Sequence, residues 1–331
     1  MRTPVLRVKE LSAIFDSKTR TAVKAVDRVS FSIWPGEVLG LVGESGSGKT
    51  VTALSILNLL SFKKGKITRG EVKYKGVNLL SLPEKKMREL RGNELSIIFQ
   101  EPMTSLNPVL TVGTQITEVI RTHSKVSRRD ARGKAVNLLK RVGISDAEKR
   151  FNAFPHQLSG GMRQRVVICM ALACSPELLI ADEPTTALDV TIQAQILEYL
   201  QKIMKRGRMS MLFVSHDLGV IGEMCDRVIV MYAGRVFETG TTMEIFKTPL
   251  HPYTRALINV SHGFLEPGKK LPVVAGTVPD LSALPVGCKF YPRCPQARKV
   301  CLKAEPPLKS IEGDQPHGKE RRVRCWDYTK L

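Results

Sequence analysis

The 331-residue sequence lacks long apolar runs and is poor in aromatic residues, which make up 6% of it. Its longest uninterrupted apolar stretch, Val166 to Cys174, has nine residues, whereas a helix that crosses a bilayer needs about 20. The first residues alternate apolar and charged side chains and contain no apolar core of the kind that signal peptides have. We therefore expect a cytosolic protein without a transmembrane helix or a signal peptide.

Acidic residues are scarce relative to basic ones. The chain has 31 Asp and Glu against 51 Lys and Arg, which gives a formal net charge of +20. Such a balance suits nucleic acid, anionic lipid or a solvated surface. The basic pairs are scattered and are not interleaved with aromatic residues, as they are in proteins that bind single strands. We expect an anionic inner membrane surface close by and no nucleic acid.

Disulfides are not expected from the seven cysteines of a cytosolic chain. Cys169, Cys174 and Cys225 lie in apolar surroundings and are interpreted as small buried hydrophobic residues. The other four cysteines lie near the C-terminus.

The stretch Gly43 to Thr50 reads Gly-Glu-Ser-Gly-Ser-Gly-Lys-Thr and matches the phosphate-binding loop pattern. The apolar run 38–42 before it predicts a buried strand, and 51–57 after it predicts a helix. Backbone N–H groups and the helix N-terminus attract phosphate, while the lysine reaches the β- and γ-phosphates and the threonine binds Mg²⁺. The residues predicted to bind the nucleotide here are Gly43, Ser45, Gly46, Gly48, Lys49 and Thr50.

Polar residues end three further apolar runs: Gln100, the pair Asp182 and Glu183, and His216. In open α/β sheets, ligands are contacted beyond the carboxyl ends of strands. Asp182 fits the Mg²⁺ shell through water, and Glu183 fits a base for the water that attacks the γ-phosphorus. Gln100 suits either Mg²⁺ or that water, and His216 suits the γ-phosphate. For Gln100 and for His216, the alternative is a purely structural role in a loop.

Ser159, Gly160 and Gly161 precede another apolar helix. Ser159 can act as its N-cap, and the glycines allow a second backbone or phosphate to approach closely. Phe15 follows an alternating strand pattern and is either a residue that stacks on adenine or a core residue. The residues alone do not decide between capping and phosphate contact for Ser159 to Gly161, or between adenine stacking and core packing for Phe15.

The pattern along the chain predicts an α/β domain with an appendage. Residues 1–261 form the predicted nucleotide-binding domain, with a helical subdomain at about 101–175. Residues 262–331 hold nine of the nineteen prolines and show little helical periodicity. We therefore predict an irregular, Pro- and Cys-rich C-terminal extension.

The extension carries four cysteines spaced C-x₅-C-x₆-C-x₂₃-C: Cys288, Cys294, Cys301 and Cys325. A small irregular segment with four thiols suggests a metal that holds it together. Zinc sites usually contain C-x₂₋₄-C pairs, which this pattern lacks. An iron–sulfur cluster, zinc and unliganded thiols all remain open from the spacing.

The ordered motifs resemble those of an ABC-type ATPase over roughly residues 5–260: the phosphate loop, Gln100, Leu158–Gly161, Leu178–Glu183, Ala187–Asp189 and His216. Two further stretches, Gln100–Pro108 and Leu250–Thr254, resemble ATP-binding subunits of bacterial oligopeptide and dipeptide importers. Met162 and Phe15 depart from the residues most common in the family, but neither departure removes a group needed for phosphate chemistry.

The resemblance implies a P-loop core sheet with an antiparallel β subdomain and a helical subdomain. It also implies that two such chains close head to tail, so that each ATP lies between one phosphate loop and the other chain's Ser159-Gly160-Gly161. Gln100 would then coordinate Mg²⁺ with Thr50, and Asp189 would link the two sites. Some relatives hold a [4Fe–4S] cluster on cysteines like the four in the extension.

The partners that the family implies are two transmembrane permease subunits, a second ATP-binding subunit expected to be a paralogue, and, indirectly, an extracytoplasmic substrate-binding protein. The chain would lie on the cytoplasmic face of the inner membrane. The alternatives are an importer of nickel, glutathione or an oligosaccharide, and a soluble DNA-associated ABC ATPase. The last lacks support because the sequence has no long coiled-coil insertion and only one phosphate loop.

Overall fold

The computed structural model describes residues 3–15, 22–101, 105–186, 188–205, 209–261, 274, 276–311 and 320–328. Its strands are β1 (Leu6–Phe15), β2 (Val23–Ile33), β3 (Val38–Val42), β4 (Gly65–Tyr74), β5 (Val77–Asn78), β6 (Leu95–Ile98), β7 (Leu178–Asp182), β8 (Ser210–Ser215), β9 (Arg227–Tyr232), β10 (Arg235–Thr241), β11 (Lys309–Ser310) and β12 (Arg322–Val323). Its helices are α1 (Lys49–Ile56), α2 (Glu84–Leu90), α3 (Val112–His123), α4 (Arg128–Arg141), α5 (Ala147–Phe151), α6 (Gly160–Leu172), α7 (Val190–Met204), α8 (Leu218–Met224), α9 (Thr242–Lys247), α10 (Pro252–Ser261) and α11 (Lys299–Lys303).

The chain forms two compact units. The first contains residues 1–80 and 213–331, and the second contains residues 81–212. The division falls within β8. The boundary predicted at residue 261 stays a prediction, and two pieces of the predicted motifs, 102–104 and Ala187, lie outside the described residues.

The first unit contains an antiparallel sheet with strand order β2-β1-β4-β5. In β1, Leu6 and Val8 are buried while Arg7 and Lys9 are exposed, because alternate residues of a strand face opposite sides of the sheet. This finding confirms the predicted antiparallel β subdomain.

The other sheet segment of the first unit has the strand order β11-β12-β10-β9-β3. All five residues of β3 are buried, and β3 runs parallel to β9. A strand covered on both faces reads as a continuous apolar run, which is why 38–42 was recognisable in the sequence.

Part of the extension is more regular than its sequence indicated. Strand β12 pairs with β10, with Val323 opposite Glu238, and also with β11. The extension therefore contains short paired strands that its sequence did not indicate. Strands of two residues are too short to show the alternation from which strands are predicted.

In the second unit, β6 and β7 run parallel, with Leu95 opposite Leu178. The predicted helical subdomain, at about 101–175, contains α3, α4, α5 and α6. Thr111 and Ser127 cap the first two of these helices, each accepting a hydrogen bond from the backbone N–H three residues later. Within the described parts of the chain, no helix has the length and apolar character that crossing a membrane requires.

A buried ion pair fixes the entry to β3 in the first unit. Arg227 Nη1 lies 2.8 Å from Glu37 Oε1, and both side chains are 5% exposed. The second carboxylate oxygen of Glu37 accepts a hydrogen bond from Trp34 N at 2.7 Å. The turn before β3 is therefore tied to the first residue of β9.

We expect Glu37→Gln to lower the free energy of unfolding by about 3 kcal/mol, because it leaves the buried Arg227 charge uncompensated. Urea unfolding of the purified chain measures this change. The control is Glu71→Gln, which removes the carboxylate of an exposed pair with Lys73 and should leave the unfolding curve unchanged. Equal midpoints for the two variants would contradict a stabilising role for the buried pair.

Candidate functional site

The phosphate loop 43–50 joins β3 to α1, as its sequence predicts. Gly48 is the N-cap of α1 and has φ of +99°, and a Cβ at this position would lie 2.4 Å from Ala25 O. A Cβ at Gly43 would lie 2.2 Å from Met231 O. The loop backbone thus packs directly against neighbouring backbone, and these two positions require glycine.

Lys49 lies across the loop. Its side chain is buried, and Nζ donates to Gly43 O at 2.7 Å and to Glu44 O at 3.1 Å. A buried ammonium group is costly unless oxygen atoms solvate it. Phosphate oxygens are stronger acceptors of the same kind, so this geometry suits a bound anion.

Ser47 is a loop residue that the sequence reasoning did not single out. Its Oγ is buried and has no hydrogen-bond partner among the described residues. A buried hydroxyl in this state is a ready donor for a ligand. Its position is variable in the loop pattern, so the motif carried no signal for it, and only the structure identifies it.

The other predicted residues of the first unit occupy its surface or its strand ends. Ser45, Gly46 and Thr50 are exposed on the loop and on α1. Phe15 is half-buried at the end of β1, where its ring lies beside Gly65. His216 is exposed and directly follows β8.

In the second unit the structure brings Gln100 and Glu183 together. Gln100 Nε2 donates to Glu183 Oε2 at 2.9 Å, and Thr186 Oγ1 donates to the same oxygen at 2.9 Å. Glu183 has φ of +49°, a conformation that is uncommon for a residue with a side chain. Such strain is concentrated at functional sites. Asp182, the last residue of β7, is buried.

Ser159 is the N-cap of α6, and its Oγ accepts a hydrogen bond from Met162 N at 3.4 Å. Capping is thus confirmed, and it leaves Ser159 and Gly160 exposed at the start of a 13-residue helix. A Cβ at Gly161 would lie 2.9 Å from Ile192 Cγ2. The N-terminus of α6 is therefore exposed to an anion at Ser159 and Gly160 and packed against α7 at Gly161.

The segment 184–189, which follows Glu183, is hydrogen-bonded to α6 at one end and caps α7 at the other. Gln164 Nε2 donates to Pro184 O at 2.6 Å. Asp189 is the N-cap of α7 and accepts a hydrogen bond from Ile192 N at 2.9 Å. Gln164 was not predicted as a site residue, because nothing in a helical glutamine indicates which backbone it contacts.

The four cysteines of the extension line one small cavity. Backbone pairing of Cys288 N with Cys301 O, at 2.8 Å, holds two of the segments together. Burial raises the pKa of Cys288 to about 12 and that of Cys325 to about 11. Among the described residues, no three His, Cys, Asp or Glu side chains are arranged to hold a single metal ion.

Comparisons with known proteins match two parts of the chain to family models. The model described as ABC transporter matches residues 26–186, and that described as the C-terminal region of oligopeptide/dipeptide transporters matches 237–301. A putative peptide import ATP-binding protein of Brucella melitensis is 51% identical over 96% of both chains. The oligopeptide transport ATP-binding protein AppD of Bacillus subtilis is 49% identical over 98% of this chain and 97% of its own. The dipeptide transport ATP-binding protein DppD of Haemophilus influenzae is 48% identical over 97% and 94%.

Solved structures with the same fold include a dimer of the ATP-binding cassette MJ0796 bound to ADP and phosphate. It has a TM-score of 0.64 and 27% identity, and the match covers 72% of this chain and 98% of that one. CbiO1 from Clostridium perfringens, part of an ABC transporter complex, matches with a TM-score of 0.61 over 74% of this chain and 91% of its own.

We expect Gly48→Ala to abolish nucleotide binding, because the new Cβ meets the Ala25 carbonyl and the left-handed backbone alone costs about 1–2 kcal/mol. The control is Gly133→Ala in α4, where a Cβ meets open space and helix propensity favours alanine by about 1 kcal/mol. Thermal unfolding with and without ATP measures both effects. Normal ATP-induced stabilisation of the Gly48→Ala chain would contradict the packing described for the loop.

Proposed function

The chain belongs to the family of ABC transporter ATP-binding subunits of bacterial oligopeptide and dipeptide importers, and on this basis we propose how its residues hydrolyse ATP and drive peptide import. It is an ATPase whose activity energises the movement of peptides through a membrane transporter. Relatives named for peptide import that match nearly the whole chain support peptide cargo over nickel, glutathione, oligosaccharide or a DNA-associated role.

The observation that carries the catalytic assignment is the carboxylate of Glu183, which Gln100 and Thr186 hold in one orientation. We assign Glu183 as the group that polarises the attacking water, because a fixed acceptor next to a nucleophilic water is what γ-phosphate hydrolysis requires. Lys49 and the loop amides hold the β- and γ-phosphates. His216 contacts the γ-phosphate, and Phe15 contacts the adenine.

The family implies a Mg²⁺ ion with ATP, and we propose three residues as the ligands that would hold it. Thr50, Gln100 and Asp182 offer a hydroxyl, an amide oxygen and a carboxylate, and these are the oxygen ligands that Mg²⁺ prefers. The ion would neutralise charge on the phosphates. The protein residues orient the nucleotide and the water around it.

Dimerisation completes the proposed site. The exposed Ser159 and Gly160 at the start of α6 are available to the γ-phosphate of ATP bound to a second subunit. The MJ0796 cassette, a relative in fold, is known as a dimer with ADP and phosphate. We propose a head-to-tail pair with a paralogue, docked on two permease subunits at the cytoplasmic face of the inner membrane, with Asp189 linking the two sites. A substrate-binding protein outside the membrane would deliver the peptide.

We expect Glu183→Gln to bind ATP normally and to lower the rate of hydrolysis at least about 100-fold, because an amide cannot accept the proton of the attacking water. Phosphate release by the assembled transporter measures the rate, and filter binding measures ATP retention. Glu198→Gln, on the exposed pair with Lys202 in α7, is the control and should keep full activity. Wild-type turnover of Glu183→Gln would exclude Glu183 as the main catalytic group.

We further propose that the four cysteines hold a [4Fe–4S] cluster. They line one cavity, and four cysteine thiolates are the ligand set that would hold such a cluster. The four thiols would bind iron as thiolates, so that assembly is favoured as pH rises. The cluster would hold together the segments that carry these cysteines.

We expect the chain purified without oxygen to absorb visible light and to contain about four iron and four sulfide ions per chain. Cys294→Ser should lose most of the iron. The control is Cys174→Ser in the second unit, where a half-buried thiol should be dispensable for iron binding. A colourless wild-type protein that contains one zinc ion would exclude the cluster.

A further inference from the structure

Glu44, the second residue of the phosphate loop, makes two hydrogen bonds within the loop through its backbone carbonyl group. Its carbonyl oxygen accepts hydrogen bonds from Ser47 N at 3.1 Å and from Lys49 Nζ at 3.1 Å. The position of the Glu44 peptide group therefore decides both the shape of the 44–47 turn and the place of the lysine ammonium group.

Two residues from the C-terminal part of the chain hold Glu44 from outside. Its backbone N–H donates to Tyr253 Oη at 3.0 Å. Its carboxylate accepts two bonds from Arg293, at 2.7 Å from Nη1 and 2.9 Å from Nη2. Every polar group of Glu44 is thus engaged. A forked Arg–carboxylate pair fixes direction as well as distance.

Arg293 is itself firmly placed. Its side chain is 3% exposed, Nη2 donates to Val274 O at 3.1 Å, and Nη1 donates to Tyr232 Oη at 3.3 Å. The guanidinium also lies 5.9 Å from the ring centroid of Phe290. The hydrogen bonds to Glu44 raise the pKa of Arg293 above its ordinary value, so the guanidinium stays charged under all ordinary conditions.

Tyr253 is placed by the Leu250–Thr254 motif. The buried carboxylate of Glu238 accepts the backbone N–H groups of Leu250 and His251, each at 2.8 Å. His251 Nδ1 in turn accepts the N–H of Tyr253 at 2.9 Å. Burial lowers the pKa of His251 to about 3, so its ring is neutral and Nδ1 can act as an acceptor. This network explains why the motif needs both a histidine and a tyrosine.

We propose that Arg293 is a positioning residue for ATP binding that acts through Glu44, so that the C-terminal extension sets the shape of the phosphate loop. Arg293 lies between Cys288 and Cys294 in the chain, and its place depends on the fold of the segment that those residues share. The proposal rests on the ATPase function above and adds a group that touches no nucleotide.

The expected effect is on binding and not on the chemical step. A phosphate loop binds tightly when its N–H groups and lysine already converge on the anion, because no ordering cost is then paid on binding. Loosening Glu44 adds that cost equally to the ground state and the transition state. Such a change raises KM and leaves kcat at saturating ATP largely unaltered.

The test uses full-length chain for nucleotide affinity and the assembled transporter for kcat and KM. Arg293→Gln and Glu44→Gln are each expected to raise the Kd for a fluorescent ATP analogue about fivefold to tenfold. Arg293→Lys should lie between these variants and the wild type, because lysine keeps the charge but not the fork. Lys299→Gln, an exposed change of equal charge in the same extension, is the control and should match the wild type.

The double variant Arg293→Gln/Glu44→Gln separates a coupled pair from two independent effects. If Arg293 acts through Glu44, the double variant binds ATP no more weakly than the weaker single variant. Additive losses, or an unchanged Kd in Arg293→Gln, would overturn the proposal. The proposal would also be overturned if Arg293→Gln lowered the melting temperature, the iron content and kcat while KM stayed constant. That pattern marks a purely structural arginine. A wild-type chain that fails to bind the analogue would instead refute the ATPase assignment.

Discussion

The buried ammonium group of Lys49 imposes the constraint on which the phosphate site depends. A charge in this position needs oxygen acceptors at short range, and the loop supplies them as the carbonyls of Gly43 and Glu44 at 2.7 and 3.1 Å. Those carbonyls serve only if the loop backbone is held in one shape. The close approach of Gly48 to Ala25 and the bond from Gly234 N to Ser47 O, at 3.0 Å, hold it on one side.

The C-terminal extension also helps to hold the loop. It supplies Arg293 and Val323 to the first unit, the former paired with Glu44 and the latter opposite Glu238 in the sheet. The rings of Tyr232, Tyr253 and Phe290 pack against one another with centroids 4.7 to 5.4 Å apart. Because these contacts are buried, the extension and the loop share one core. A change in the position of the extension therefore alters the loop through direct contacts.

The second unit meets a different requirement, which is to hold a carboxylate in one orientation. Glu183 has an uncommon backbone conformation, and Gln100 and Thr186 donate to its side chain. The amide and hydroxyl donors together fix the direction of the carboxylate. This is the orientation in which we propose that the carboxylate activates the attacking water.

The sequence by itself determined the phosphate loop, the strand that precedes it, the polar residues at the strand ends and the capping role of Ser159. These features depend on local geometry, in which residue spacing of two, three or four already decides what lies together. Only the tertiary structure decided that Arg293 and Tyr253 reach Glu44, 249 and 209 residues away in sequence. It also decided that Ser47 Oγ has no hydrogen-bond partner among the described residues and that the four cysteines share a cavity. Contacts between distant segments depend on how whole elements pack, and no periodicity in the chain records that packing.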